Sequence, residues 1–139
     1  MKTLYLVSCV AQKREAGAQA QDLYLSAWFR KARRYVESKR ATWRILSAKY
    51  GVLEPASLVE PYEQTLSKMS TIERREWARR VLMDLRPLVV EGDTVIFLAG
   101  SRYRESLVPA LREMAVHVEV PMEGLQIGRQ LQWLDRVVS

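Results

Sequence analysis

The 139-residue chain holds one cysteine, Cys9, and one histidine, His117. A single cysteine excludes an internal disulfide. One of each excludes zinc sites built from clustered cysteines and histidines. There is no Walker A loop and no G-x-G-x-x-G run, so the usual glycine-rich phosphate cradles are missing and neither cofactor nor metal is expected. Long apolar runs are missing too. Met1-Lys2-Thr3 leads into an apolar stretch that stops near Cys9, too short for a signal-peptide core or a membrane span. A cytoplasmic domain that does not engage membranes is the expectation. Acidic residues are the minority charge, 16 against 22 Lys plus Arg, giving a net +6 and a pI near 9.7. Sixteen of those cations are arginine, whose planar fork suits phosphate, so nucleic acid is the first partner to consider.

What is present reads as one globular domain over residues 1–139, with 48% hydrophobic residues and 27% charged. Leu4-Tyr5-Leu6-Val7 is a β-prone run of the kind buried on both faces. The stretch from Gln12 to Gln21 is small, polar and irregular. Leu25, Trp28, Phe29, Ala32, Tyr35 and Val36 then recur at helical spacing. Trp43-Arg44-Ile45-Leu46 predicts a second strand, followed by a loop holding Pro55 and Pro61, long enough to be functional. Ser70-Thr71-Ile72-Glu73 has capping-box spacing and opens a helix striped by Trp77, Ala78, Val81, Leu82 and Leu85. Glu91-Gly92-Asp93 predicts a turn into the strand Thr94–Leu98. A helix over Tyr103–Met114, a strand alternating at Val116, Val118 and Val120, and a helix around Leu131, Leu134 and Val137 complete the chain.

The order β-α-β-loop-α-β-α-β-α predicts an α/β fold. The expected form is a single-domain three-layer sandwich, a mostly parallel four-stranded sheet with helices on both faces. Ligands in such sheets bind beyond the carboxyl ends of the strands. Those ends carry Ser8-Cys9, Ser47-Ala48-Lys49-Tyr50-Gly51, Gly100-Ser101 and Pro121 to Gly124.

Ser47, Lys49 and Tyr50 could hold a phosphate or a base edge, or form a simple turn in which Gly51 supplies an unusual dihedral. Cys9 could be a nucleophile, but no nearby motif supplies a base, so it is read as a substrate contact or as an ordinary buried thiol. His117 sits on a strand with its side chain expected in solvent, so general-base work falls to a carboxylate. Glu60 is the first candidate, in the long loop from which it could reach the strand ends. Asp22 is the second, with helix capping as its alternative role. Tyr24, Tyr50, Tyr62 and Tyr103 fall near strand ends or helix starts, where a ring can stack a base or pack a half-buried rim. Arg30, Arg33 and Arg34 form a basic helix face in which Glu37 is the only acid. With Arg102 and Arg129 they make a phosphate-tracking surface, which Gln130 could extend.

Several blocks resemble a bacterial and phage family of unknown function over nearly the whole chain. They are Leu6-Val7-Ser8-Cys9 with Lys13; Asp22-Leu23-Tyr24-x-Ser26-x-x-Phe29; and Ile45-Leu46-Ser47-Ala48-Lys49-Tyr50-Gly51-Val52-Leu53 followed by Pro61-Tyr62-x-x-Thr65-Leu66. Gly100-x-x-Tyr103 and Gly124-x-x-Ile127-Gly128-x-Gln130-x-x-Trp133-Leu134 follow later. Val52 stands where the family often has Leu, and Glu63 where it often has Asp. The resemblance implies a uracil-DNA-glycosylase-like sandwich, related to domains acting on 7-deazaguanine-type bases and similar to a small anti-phage DNA glycosylase that removes modified bases. The uracil enzymes' G-Q-D-P-Y and H-P-S-P motifs are absent here, which argues against uracil as substrate.

The expectation is therefore a DNA glycosylase that flips out a modified base, with a role in antiviral defence. Glu60 or Asp22 would stabilise the charge that builds on the sugar, and Lys49 is the candidate amine if a Schiff base forms. Ser8, Cys9, Lys13, Tyr24, Ser47, Tyr50, Tyr62, Gly100, Tyr103 and Gln130 would line the substrate pocket. A non-catalytic reader of a modified base, or a hydrolase or transferase of free nucleosides or nucleotides, are the alternatives.

Overall fold

The computed structural model describes residues 1–138. Its elements in chain order are β1 (Thr3–Ser8), β2 (Ala18–Gln19), α1 (Ala20–Leu23), α2 (Ala27–Ser38), β3 (Thr42–Ser47), β4 (Gly51–Leu53) and β5 (Leu58–Val59). A 3-10 turn (Leu66–Lys68) then precedes α3 (Thr71–Leu85), β6 (Thr94–Leu98), α4 (Ser101–Arg104), α5 (Leu107–Glu113), β7 (His117–Glu119) and α6 (Ile127–Val138). The central sheet has five strands in the order β4-β3-β1-β6-β7. β1 pairs in parallel with both β3 and β6, and β6 in parallel with β7.

The step from β1 to β3 moves one way across the sheet, and the step from β3 to β6 moves back past β1. Right-handed crossovers then put α2 on one face and α3 on the other. α6 packs against α2, and α5 lies beside α3. β1 is sealed on both faces, with Leu6 and Val7 fully buried, as a parallel strand between two helix layers must be.

Sequence period explains the helices. Phe29, Ala32, Tyr35 and Val36 form the buried stripe of α2, each large side chain contributing about 1.5–3 kcal/mol through burial. The N-cap of α2 is Ser26, whose Oγ accepts from the Phe29 N–H at 3.1 Å. Asp22, for which capping was the alternative to a catalytic role, lies inside α1. The capping box at Ser70 and Glu73 forms in full, and Trp77, Ala78, Val81 and Leu85 bury the stripe of α3.

Three expectations need correcting. The sheet has five strands rather than four, because β4 folds back antiparallel onto β3 where a loop was expected. Gly51, at φ +75°, lets the chain reverse directly after Ser47-Ala48-Lys49-Tyr50. The helix expected over Tyr103–Met114 is broken into α4 and α5. Pro109 has no N–H to donate, and its ring would strike the Glu105 carbonyl of a continuous helix; at the third position of α5 it costs nothing. The irregular stretch before Gln21 contributes β2, which pairs with β5 in a two-residue ribbon.

Asp93, buried in the turn before β6, accepts from the backbone N–H groups of Lys2 (2.9 Å) and Val90 (3.0 Å). Those two bonds hold its carboxyl below the usual aspartate range. Its folded-state value lies below the unfolded one, so its stabilisation is present at neutral pH and is lost as pH falls through the folded value. Asp93→Asn is expected to lower the melting midpoint at pH 7 and to flatten its decline in acid. A uniform drop at every pH would show that the charge plays no part.

Candidate functional site

The strand order reverses beside β1, so the crevice beyond the ends of β1 and β6 is the topological switch point. A slot of about 430 Å³ opens there, lined by Ser8, Val10, Ser26, Trp28, Gly100, Ile127, Gln130 and Leu131. Trp28 Nε1 donates to Gln130 Oε1 at 2.8 Å, and Gln130 Nε2 donates to the Leu125 carbonyl at 2.8 Å. The tryptophan ring and the glutamine amide are thus fixed against each other. Ser8, Gly100 and Gln130, singled out from sequence, meet in this slot. Trp28 was read only as part of an apolar stripe and Ile127 only as part of a family block, so their place in its wall escaped sequence reasoning.

Beside the slot lies a chain of buried hydroxyls. Ser47 Oγ accepts from the backbone N–H groups of Lys49 (3.2 Å) and Tyr50 (2.9 Å). With its lone pairs taken, it donates to Tyr62 Oη at 2.8 Å. Tyr62 Oη lies 2.6 Å from Tyr24 Oη, and Cys9 Sγ lies 3.1 Å from Tyr103 Oη. Trp77 Nε1 closes the Ser47 carbonyl at 2.9 Å. Burial pushes the phenols of Tyr24, Tyr62 and Tyr103 well above their ordinary value, so all three stay protonated donors at physiological pH. Lys13 lies over the Tyr62 ring, its Nζ 4.3 Å from the ring centre. Burial pushes its ammonium down, partly offset by Cys9 and Glu63. Tyr50 packs edge-on against Tyr62.

The proposed acids lie elsewhere. Glu60 is exposed just after β5, with its carboxylate over Gly17, the residue before β2, and it lines a separate hollow with Gly17, Ala18, Leu58 and Val59. Its backbone carbonyl, not its carboxylate, meets the Tyr50 hydroxyl (3.4 Å). Asp22 is exposed and paired with Arg33 at 2.8 Å. Lys49 is exposed and edges an open groove of about 520 Å³ against α3. That groove is roomier than the slot, but its polar groups already serve the fold. Arg80 Nη2 holds the Lys49 carbonyl, Glu73 caps α3, and Glu76 meets Arg79. His117 is exposed at the start of β7, the far end of the sheet, with Glu119 at 3.3 Å.

The basic faces divide. Arg33 meets Asp22 and Glu37, Lys31 meets Asp135, and Arg102 meets Glu105 at 3.5 Å. Acids from outside the first basic helix therefore neutralise part of a run that looked unbalanced in sequence. Arg30, Arg34 and Arg129 are exposed and have no ionic or hydrogen-bond partner among the described residues. They lie on the two helices whose first turns wall the slot. Among the described residues, no group of three or more His, Cys, Asp or Glu could hold a metal ion, and no helix is long and apolar enough to cross a membrane.

Tyr62→Phe keeps the ring but strands the Ser47 and Tyr24 hydroxyls, at a cost of about 1–3 kcal/mol in urea unfolding. Ser47→Ala combined with Tyr62→Phe should cost less than the sum of the single changes, because the two groups share one bond. Strict additivity would mean that the hydroxyls do not act as a chain.

The chain is 32% identical to the uncharacterized protein YfjM of Bacillus subtilis (strain 168) over 153 residues, which span 100% of this chain and 97% of the relative. Residues 4–136 match a family described as a family of unknown function, DUF6884. With strand-end motifs, slot and nearly full length inside that match, the chain belongs to the DUF6884 family.

Proposed function

We propose that the protein is a DNA N-glycosylase that takes a modified base, flipped from the duplex, into the slot at the ends of β1 and β6. The observation that carries this reading is the slot itself. Its apolar wall of Val10, Trp28, Ile127 and Leu131 suits a flat heterocycle, and it holds the fixed Gln130 amide at the switch point of the sheet. The uracil-DNA-glycosylase-like architecture suggested by the sequence blocks belongs to the same proposal, as does antiviral defence against modified phage DNA. Arg30, Arg34 and Arg129 supply phosphate contacts around the mouth, and a basic surface of this kind gives salt-sensitive affinity.

The positions of the ionisable groups change the expected chemistry. None of Glu60, Asp22 and Lys13 lines the slot, but Lys13 is half-buried on Tyr62 and interacts with Cys9, the residue between Ser8 and Val10 of the slot wall. Lowered basicity leaves more of its amine uncharged and able to attack. In this scheme Lys13 Nζ attacks C1′ and the base departs with the electron pair of the N-glycosidic bond, taking up a proton. The sugar ring then opens to a Schiff base, which water hydrolyses to return the amine. The amine role moves from Lys49 to Lys13. The lack of a carboxylate among the slot's walls also favours a second reading, a module that binds a modified base without cleaving it.

Mass spectrometry of small molecules released from modified and unmodified phage DNA tests both. The expected result is a free modified base and a borohydride-trapped protein–DNA adduct. Both should be abolished by Lys13→Ala and retained by Lys49→Ala and Glu60→Gln. Salt-sensitive binding with no base released would favour the reader. Loss of release in Glu60→Gln alone would return the chemistry to the carboxylate.

A further inference from the structure

A second, more enclosed cavity of about 230 Å³ adjoins the slot, and the two share Gly100 and Gln130. Its polar lining includes Ser101, Gln130 and an ion pair. Arg104 Nε donates to the Ala99 carbonyl at 3.0 Å, and Nη1 reaches Glu123 at 3.1 Å. This two-point tether fixes the guanidinium plane and leaves Nη2, and the second oxygen of Glu123, without a partner among the described residues. The arginine side chain is 18% exposed and that of Glu123 is 69% exposed, so the arginine is the fixed, enclosed partner and the carboxylate stands open to solvent.

Gly100, at the shared rim, is not required by the fold. Its φ of −69° suits any residue, and a Cβ built there would meet nothing within 4 Å. Neither backbone strain nor packing requires a glycine there. At the rim common to both cavities it leaves room for an occupant passing close to the backbone.

We infer that the slot and the polar cavity are one site, crossed at Gly100. Its occupant is a flat heterocycle whose uncharged, amide-like edge enters the second cavity. This rests on reading the slot as a base site. Arg104 Nη2 donates to an acceptor on that edge and Glu123 accepts from the neighbouring donor. The pair together carries no net charge, so a phosphate would meet repulsion from Glu123 as well as attraction from Arg104. Arg104 and Glu123 therefore decide which base is held.

Calorimetric titration of the whole protein with the four 2′-deoxynucleosides, and with inorganic phosphate as competitor, tests this. Nucleosides should bind, and phosphate should not displace them. Gly100→Ala should weaken binding roughly tenfold or more while moving the melting midpoint by no more than a few degrees, since Gly100 caps only the four-residue α4. Glu123→Gln should change the order of preference among the nucleosides. Wild-type affinity in Gly100→Ala, displacement by phosphate, or an unchanged order in Glu123→Gln would each overturn the inference, as would a wild type that binds no nucleoside. Base release from DNA that persists in Gly100→Ala would leave the glycosylase standing and remove this site. Nucleoside binding with the expected variants, but no release from any DNA, would do the reverse.

Discussion

β1 has a hydrogen-bonded neighbour along each edge and a helix layer on each face. Apart from paired backbone and a phenol such as Tyr5 whose hydroxyl finds a partner, polar groups along such a strand carry a desolvation cost. The polar chemistry linked to it is therefore displaced to its end, at Ser8 and Cys9. Because β3 and β6 run parallel to it, their ends at Ser47 and at Leu98-Ala99-Gly100 arrive at the same level of the molecule. Hydroxyls, a thiol and a glycine are thus collected at one rim from three strands far apart in sequence.

The rim then organises the least regular part of the chain. Residues 54–70 hold one two-residue strand and one 3-10 turn, too little to bury a core of their own. Their anchors are Leu66, buried, and Tyr62, whose hydroxyl is held by Ser47 and Tyr24. Ser47 can donate there because the turn after β3 supplies two N–H groups to its lone pairs. A local turn preference is in this way converted into a directed long-range bond. No buried side-chain nitrogen or oxygen among the described residues lacks a partner, which is the condition under which such a polar network rigidifies rather than weakens a core.

The fold was legible where period and burial coincide. The apolar runs of β1, β3 and β6, the stripes of α2 and α3 and the Ser70 capping box all follow from local pattern. β4 did not, because three residues carry no period and its pairing depends on the left-handed turn at Gly51. The break at Pro109 was legible in principle from the clash with Glu105. At the site, Ser8 and Gly100 line the slot where strand-end logic points, whereas Gln130 reaches it from α6 and was read from sequence as an extension of the basic surface and part of a family block. Glu60 was misplaced because sequence spacing carries no distance across a loop. The neutralised arginines were missed for a related reason: Arg33 is met from α1, and Lys31 from Asp135, 104 residues away. Arg104 was overlooked because its partner Glu123 lies beyond an intervening helix and strand.

The slot is walled by α6 from one side only. That helix is held to α2 by the Trp28–Gln130 bond, the Lys31–Asp135 pair and the Tyr35–Trp133 ring contact, while the sheet is complete without it. Docking of α6 and occupancy of the slot are consequently one thermodynamic cycle. An occupant that touches Ile127 or Leu131 stabilises the docked helix by the same free energy that the helix lends to the occupant. Amide exchange along α6 would therefore report how often the slot is filled, even from a helix whose outer face touches nothing.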